Sequence, residues 1–204
     1  MRLFILGATG GIGKHLLHIA LERGHQVTAF VRAPQKIGFS HQRLSLIRGD
    51  VFDADQMAGA MASHDAVLSS FGPTTLRAVT LRREFGRAVA AAMRHSGVRR
   101  IELVSAAFLF PELNMLGRIL KASLFRQMVP DTGGMETEIS GSDLDWTIVR
   151  PPRLTNGPAT HTYRIVDGHL PKGGKVISRA DVAHFMIGEA ETPTHLKQIV
   201  AVAN

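Results

Sequence analysis

The chain has 204 residues, of which 45% are hydrophobic and 20% charged, and this composition is typical of a single globular domain. It contains no cysteine, which excludes disulfides, a thiol nucleophile and a cysteine-ligated metal site. The formal net charge of +7 favours anionic partners. Apolar runs are only strand-length and the first residues resemble a strand instead of a signal peptide, so we expect a cytoplasmic protein without a membrane span.

Residues 1–32 carry the most informative pattern. The apolar run from Arg2 to Leu6 is typical of a buried parallel strand, and glycines follow it. We expect Gly7 to form a tight turn, Gly10 to admit a diphosphate close to the backbone, and Gly13 to let the next helix pack on the sheet. The free N–H groups and positive dipole end of that helix would bind the diphosphate of a dinucleotide. The residues expected to contact it are Gly7, Thr9, Gly10, Gly11, Ile12 and Gly13.

The end of the second strand indicates which dinucleotide is bound. The strand from Val27 to Val31 has no acidic residue at its end, where NAD-specific sites place one for the ribose 2′-hydroxyl. Arg32 follows instead, and Lys14 and Lys36 add positive charge nearby. Arginine at this place pairs with a 2′-phosphate, so the sequence predicts NADP(H), although an ordinary solvated strand-end charge is the alternative for Arg32.

The rest of the chain alternates strands and helices. Further strands are predicted at Leu44 to Arg48, Ala66 to Ser69, Ile101 to Val104, Asp145 to Val149 and Ile199 to Val202. Helices are predicted after Asp53 or Asp55 as far as Met61, from Thr75 to His95 with Gly97 as the stop, and from Ser178 or Asp181 to Glu189.

This alternation predicts one α/β domain over residues 1–204, with a doubly wound parallel sheet of Rossmann type and helices on both faces. Residues 106–135 and 153–177 look irregular. We expect them to overhang the carboxyl edge of the sheet and to form a small substrate-covering region there.

Several motifs in order carry a family resemblance. They are GATGGIG (7–13), GDV (49–51), VSA (104–106), DWTIVRP (145–151) and RADVAHFM (179–186). With SAAFLF (105–110), the two prolines at 151–152 and VIS (176–178), the whole chain resembles the atypical short-chain dehydrogenase/reductases. Within them it is most similar to the biliverdin-IXβ reductase and flavin reductase group and its NmrA-like relatives. This resemblance implies NADPH binding and reduction of flavins, linear tetrapyrroles or quinones.

The resemblance also implies cofactor contacts at the ends of the strands. They are Arg32 for the 2′-phosphate, Asp50 and Val51 for the adenine, Ser70, Phe71 and Gly72 for the ribose and diphosphate, and Ser105, Pro151 and Pro152 for the nicotinamide.

The catalytic residues are harder to assign. Typical short-chain dehydrogenases use a tyrosine with a lysine four residues later, but here the single Tyr163 is followed by Asp167 at that spacing, so alcohol–carbonyl chemistry is not expected. Ser105 is the candidate for orienting the reacting groups, with hydrogen bonding to backbone as the alternative. Arg153 stands where the relatives tend to carry histidine, and it would clamp a carboxylate or phosphate of an anionic substrate such as FMN. An exposed loop charge is its alternative.

Other readings of the sequence remain open or are disfavoured. The histidines lack metal-ligand spacing, so no metal is expected, and the scattered basic residues make nucleic acid a poor candidate partner. The apolar residues between Phe108 and Met128 suit a core helix, a substrate wall or a dimer surface. We expect a monomer or homodimer that reduces a flavin-like small molecule. A non-catalytic NAD(P)-sensing regulator is the alternative, and sugar-nucleotide epimerase or dehydratase chemistry is disfavoured.

Overall fold

A computed structural model describes residues 1–72, 80–111, 126 and 128–204. The strands are β1 (Arg2–Leu6), β2 (Gln26–Val31), β3 (Leu44–Arg48), β4 (Ala66–Ser69), β5 (Arg100–Val104), β6 (Asp145–Val149), β7 (Arg153–Thr155), β8 (Arg164–Asp167), β9 (Val176–Ser178) and β10 (Gln198–Ala203). The helices in the described residues are α1 (Gly11–Glu22), α2 (Ala54–Met61), α3 (Leu81–Ser96), α4 (Met128–Ser140) and α5 (Arg179–Glu191).

The strands form one large sheet and one small one. The large sheet has the order β3-β2-β1-β4-β5-β6-β10-β8, in which all neighbours are parallel except the pair β10 and β8. Strands β7 and β9 pair with each other as a separate parallel ribbon. The strand order reverses between β1 and β4, and ligands of such sheets bind in the crevice at the carboxyl ends of the strands there.

Helices cover both faces of the large sheet, because successive side chains of each strand point to opposite sides. Leu3 and Ile5 of β1 belong to the core beneath α1 and α5, whereas Phe4 and Leu6 belong to the core beneath α2, α3 and α4. This arrangement confirms the predicted α/β fold of Rossmann type with helices on both faces. The antiparallel edge strand β8 is the one departure from a fully parallel sheet.

The expectation of irregular structure in two segments is wrong in part. Residues 128–135 begin helix α4, and residues 153–177 contain strands β7 and β8 and most of β9. Helix α4 includes Pro130, Gly133 and Gly134, which lower local helix propensity, but it buries Met135 and Ile139 in the core it shares with α3. Burial therefore overrides local preference here.

Two predictions fall partly on residues that the structure does not describe. Helix α3 is described from Leu81, so residues 75–79 of the predicted helix lie outside the described part. The helix ends where the sequence predicts, because Gly97 caps it with φ of 77°. In the apolar segment between Phe108 and Met128, residues 112–125 and 127 also lie outside. Phe110 and Met128 are themselves buried. None of the described helices is long and apolar enough to cross a bilayer.

Candidate functional site at the carboxyl edge of the sheet

The turn after β1 requires glycine at two positions, Gly7 and Gly13. Gly7 has φ of 78°, and its carbonyl oxygen accepts a hydrogen bond of 2.9 Å from the N–H of Gly10. A Cβ atom placed on Gly13 would lie 2.1 Å from that same carbonyl oxygen. The first turn of α1 therefore packs directly against the backbone of the turn, as the sequence predicted for Gly13.

The beginning of α1 is suited to an anion. Its N-cap, Gly10, contributes no side-chain hydrogen bond, and the first turn contains no acidic residue. The first N–H groups of a helix have no partner within the helix, and the dipole places partial positive charge there. Gly10 and Gly11 are exposed, whereas Ile12 is buried against the sheet. This geometry fits the diphosphate of a dinucleotide.

The end of β4 lies against the same turn. The N–H of Ser70 donates to the Leu6 carbonyl at 3.0 Å, and a Cβ atom on Gly7 would be 2.7 Å from the Ser70 carbonyl carbon. The ring of Phe71 stacks on Phe85 with centroids 4.3 Å apart. The structure thus brings Ser70 and Phe71 to the glycine turn, and Gly72 follows them at the surface.

The ends of β2 and β3 would border the adenosine part of a dinucleotide. Arg32 is exposed and makes no ion pair within the described residues. One carboxylate oxygen of Asp50 accepts a hydrogen bond of 3.1 Å from the N–H of Phe52. Val51 is buried in the core on the α2 side. Arg32 is therefore free to bind a ligand phosphate, while Asp50 also stabilises its own turn.

The ends of β5 and β6 are joined by backbone hydrogen bonds. The N–H of Ser105 donates to the Val149 carbonyl at 2.7 Å, and that of Ala107 donates to the Pro151 carbonyl at 3.1 Å. These bonds bring Ser105 close to the Pro151–Pro152 pair, the residues that the family resemblance assigns to the nicotinamide. The Ser105 hydroxyl oxygen is buried, and within the described residues it has no hydrogen-bond partner. A buried hydroxyl left unpaired costs about 1–3 kcal/mol, so a ligand that bonds to it would recover that energy.

An arginine beside this point is paired with a carboxylate of helix α4. The Arg150 guanidinium donates to both carboxylate oxygens of Glu136, with an Nε–Oε1 distance of 2.9 Å, and it lies 4.7 Å from the ring centre of Phe110. The Arg150 and Glu136 side chains are 12% and 8% exposed. Arg150 therefore fixes α4 to the end of β6 and is not available to a substrate. The sequence did not predict this ion pair, because no local pattern indicates which carboxylate lies beside an arginine.

Arg153 lies apart from this network. It begins β7, opposite Val176 of β9, and its side chain is exposed. It makes no hydrogen bond or ion pair with the described residues, Ser105 included. Its position after the two prolines leaves the guanidinium free for an anionic ligand.

The single tyrosine has a different role from the tyrosine of typical short-chain dehydrogenases. The Tyr163 hydroxyl lies 2.8 Å from Nδ1 of His184 on α5. Burial, assisted by the negative charge of Asp181, raises the pKa of Tyr163 to about 12. A proton donor for carbonyl reduction needs a lowered pKa, so this tyrosine is unsuited to that task.

A second arginine reaches the glycine turn from the other end of the chain. Arg179 begins α5, and a Cβ atom on Gly11 would lie 2.6 Å from both Cδ and Nε of Arg179. Its Nη1 atom donates to the Asn156 side-chain oxygen at 2.6 Å. The sequence placed Arg179 within a family motif but gave no signal that it contacts the turn.

A metal centre has no support in the described residues, because they contain no group of three or more histidine or acidic side chains that could hold an ion. His15 and His18, one helical turn apart on α1, illustrate this. His18 stacks on Phe39 with centroids 4.8 Å apart. Burial, followed by the positive charges of His18 and Arg179, lowers the pKa of His15.

Comparisons with known proteins agree with this geometry. YwnB of Bacillus subtilis is 27% identical over 100% of this chain and 99% of its own length. The structure of ChuY, an anaerobillin reductase from Escherichia coli O157:H7, has a TM-score of 0.80 at 24% identity and covers 100% of this chain and 97% of that one. SP1627, a proposed NADH-flavin reductase from Streptococcus pneumoniae TIGR4, has a TM-score of 0.80 at 23% identity and covers 100% and 99%.

At these identities the structural neighbours establish the fold. The family model described as NAD(P)H-binding matches residues 7–193, which include the glycine turn, the ends of the central strands and the whole of helix α5. The resemblance to atypical short-chain dehydrogenase/reductases is thereby confirmed in fold and cofactor class. The chain belongs to the NAD(P)H-binding family.

Proposed function

We propose that this protein is an NADPH-dependent reductase that transfers hydride to a flavin such as FMN, or to a related conjugated acceptor such as a linear tetrapyrrole or quinone. The observation that carries the proposal is the buried Ser105 hydroxyl beside Pro151, which has no hydrogen-bond partner among the described residues and lies at the carboxyl edge of an NAD(P)H-binding sheet. A hydroxyl in this position is available to orient a reacting ring. Flavins accept hydride readily, so a site without a tyrosine–lysine pair suffices for their reduction.

Arg32 supports the choice of NADPH over NADH. It follows β2 directly, no acidic residue competes for the ribose hydroxyls at the end of that strand, and its charge has no ion-pair partner among the described residues. A guanidinium binds a phosphate in bidentate fashion. Lys14 and Lys36 supply further positive charge along the path that a 2′-phosphorylated cofactor would approach.

The division of labour follows from the positions of the residues. The bound cofactor supplies the hydride, and the chain binds and orients. The residues that would hold the cofactor are Gly7, Thr9, Gly10, Gly11, Ile12, Gly13, Arg32, Asp50, Val51, Ser70, Phe71, Gly72, Ser105, Pro151 and Pro152. Ser105 would orient the nicotinamide and acceptor by hydrogen bonding, and Arg153 would hold a phosphate or carboxylate of the acceptor. Solvent supplies the proton, because neither side chain is an acid suited to neutral pH.

The wider context of the proposal is a small-molecule reductase that works in the cytoplasm as a monomer or homodimer. Residues 106–135 and 153–177 would form the substrate side of the single domain. The names of the structural neighbours support this class of acceptor, because ChuY is described as an anaerobillin reductase and SP1627 as a proposed NADH-flavin reductase.

The test is oxidation of NADPH by the purified protein with FMN, FAD, biliverdin or a quinone, followed by loss of reduced-nicotinamide absorbance. We expect turnover with NADPH and less with NADH. Arg32→Ala removes charge-assisted hydrogen bonds of about 1.5–3 kcal/mol and should weaken NADPH binding about 10- to 150-fold. Arg94 is an exposed charge in the last turn of α3, and Arg94→Ala is the matched control. It should leave both the turnover and the affinity for NADPH unchanged.

Ser105→Ala should lower kcat while leaving the affinity for NADPH within a few-fold, because the hydroxyl is assigned to orientation. NADPH binding without turnover for every acceptor would contradict the reductase and favour an NAD(P)-sensing regulator. Similar affinities for NADPH and NADP+ would strengthen that second assignment.

A further inference from the structure

We propose that Arg179 binds the diphosphate of the cofactor, reaching the glycine turn from helix α5, and that Asn156 positions its guanidinium for this contact. The inference rests on the NAD(P)H binding within the proposed function and not on the identity of the acceptor. It assigns a role to two residues that are separated from the glycine turn by most of the chain.

The first observation is the contact between Arg179 and Gly11. Helices α1 and α5 pack side by side in one core; α1 follows β1 of the large sheet, and α5 follows β9 of the small ribbon. The aliphatic stem of Arg179 lies so close to Gly11 that a Cβ atom there would be 2.6 Å from Cδ and Nε. A side chain at position 11 would therefore displace the end of the Arg179 side chain from the glycine turn.

The second observation is that the charge of Arg179 is not neutralised within the described residues. Its hydrogen-bond partner within these residues is the neutral Asn156 side chain. The nearby carboxylate of Asp181 accepts its hydrogen bonds from Ser178, Thr160 and the N–H of His161 instead. A guanidinium held beside the positive end of α1 is repelled by that dipole unless an anion lies between them.

The third observation is the shape of the donor. One guanidinium nitrogen is tied to Asn156, which orients the planar group and leaves the other N–H groups to bind two phosphate oxygens. Arg32 lies at the end of β2, on the side where the 2′-phosphate is expected. Arg179 and Arg32 would therefore bind different phosphates of one cofactor, and their substitutions should have different signatures.

The experiment measures dissociation constants for NADPH, NADH and ADP-ribose by titration calorimetry, so it does not depend on turnover. Arg179→Met keeps the stem and removes the charge. We expect it to weaken all three ligands by about the same factor, tenfold to a hundredfold, and to leave the ratio of NADPH to NADH affinity unchanged. Asn156→Ala should weaken all three by a smaller factor, about two- to tenfold.

Two comparisons separate the diphosphate contact from other effects. Arg32→Ala should weaken NADPH but leave NADH and ADP-ribose unchanged, whereas Arg94→Met removes an equal charge from the opposite edge and should change none of the three. Thermal unfolding without ligand checks that Arg179→Met folds. If that variant does not fold, Arg179→Lys, which keeps the charge but loses the fork, should still bind all three ligands more weakly by a common factor.

Unchanged affinity of Arg179→Met for ADP-ribose would overturn the proposal while leaving the reductase assignment intact. Weakening of NADPH alone would also overturn it, because Arg179 would then act on the 2′-phosphate. If the predicted binding losses occur but no acceptor is reduced, the contact of Arg179 with the diphosphate is supported and the proposed reductase activity is refuted. Absence of binding of any dinucleotide to the unchanged protein would refute both.

Discussion

Residues 1–72 and the described residues after them bury different kinds of side chain. In the first region, which the structure describes completely, the buried polar side chains are His25 and Ser69. The described part of the second region buries nine: Arg100, Glu102, Asp131, Thr132, Glu136, Thr147, Ser178, Asp181 and Glu189. The first region contains the glycine turn, which packs against backbone, whereas the second region buries most of the charged side chains.

This difference decides what each region needs for stability. A glycine turn requires residues without a Cβ atom at the positions where the backbone packs closely, and these residues are neighbours in the sequence. A buried charge needs an opposite charge or several hydrogen bonds, because removal from water is expensive for an ion. Asp131 shows the second case, since its carboxylate accepts hydrogen bonds from the N–H groups of Arg82 and Arg83 and so caps helix α3 from helix α4.

The largest expected effect comes from removing one member of a buried pair in the second region. Glu136→Ala leaves the Arg150 guanidinium nearly buried and without its carboxylate, and should lower the free energy of unfolding by about 3–5 kcal/mol. Glu138→Ala on the same helix is the matched control. Its carboxylate lies 3.4 Å from two exposed arginines, so its loss should cost less than about 1 kcal/mol. Denaturant unfolding measures both.

The buried pair can also be replaced as a unit. In a double variant with Glu136→Met and Arg150→Met, no charge is left unpaired, so most of the stability lost by Glu136→Ala should return. Equal losses from Glu136→Ala and Glu138→Ala would contradict the distinction between the two regions, because burial of the charge would then make no difference.

The next effect tests the backbone-built turn of the first region. Gly13→Ala places a methyl group 2.1 Å from the Gly7 carbonyl oxygen, so the helix or the turn must shift. We expect a loss of about 1–3 kcal/mol in unfolding free energy, together with weaker NADPH binding. Gly59→Ala, exposed in α2 with open space around it, should instead stabilise by about 0.4–1 kcal/mol. Similar effects at the two glycines would refute the close packing of the turn.

The smallest effect is a pH dependence from the second region. Glu102 is fully buried, and burial raises its pKa well above the usual value of 4.5, although Arg100 opposes the shift. The folded state therefore holds this proton more tightly than the unfolded state, and the stability from Glu102 falls as pH rises above 4.5. Glu102→Gln has no proton to lose, so its unfolding free energy relative to the unchanged protein should increase from pH 4.5 towards neutral pH. Parallel stability curves would contradict the raised pKa.

The sequence predicted the elements with regular patterns well. Strands β1, β3, β4 and β6 have the predicted bounds, and Asp53 caps α2 through the N–H of Gln56. The errors lie where tertiary packing dominates. Helix α4 forms despite Pro130 because its buried face joins an existing core, and β8 is a largely exposed edge strand without an alternating pattern.

The candidate site divides in the same way. The glycine turn and the position of Arg32 directly after β2 could be predicted because they depend on local features: a positive φ, a missing Cβ and the end of a strand. The lack of a hydrogen-bond partner for the Ser105 hydroxyl within the described part of the chain could not be predicted, since hydrogen bonding depends on the surrounding strands. The contact between Arg179 and Gly11 could not be predicted either, because sequence spacing does not encode the distance between residues on different helices.

The sequence by itself therefore determined the fold class, the cofactor class and the glycine turn, since each follows from residues that interact within a few positions of one another. Only the tertiary structure decided which charges are paired, that the Ser105 hydroxyl has no hydrogen-bond partner among the described residues, and which arginine reaches the turn. These outcomes depend on how the helices pack across the sheet, where residues far apart in the chain meet and water is excluded.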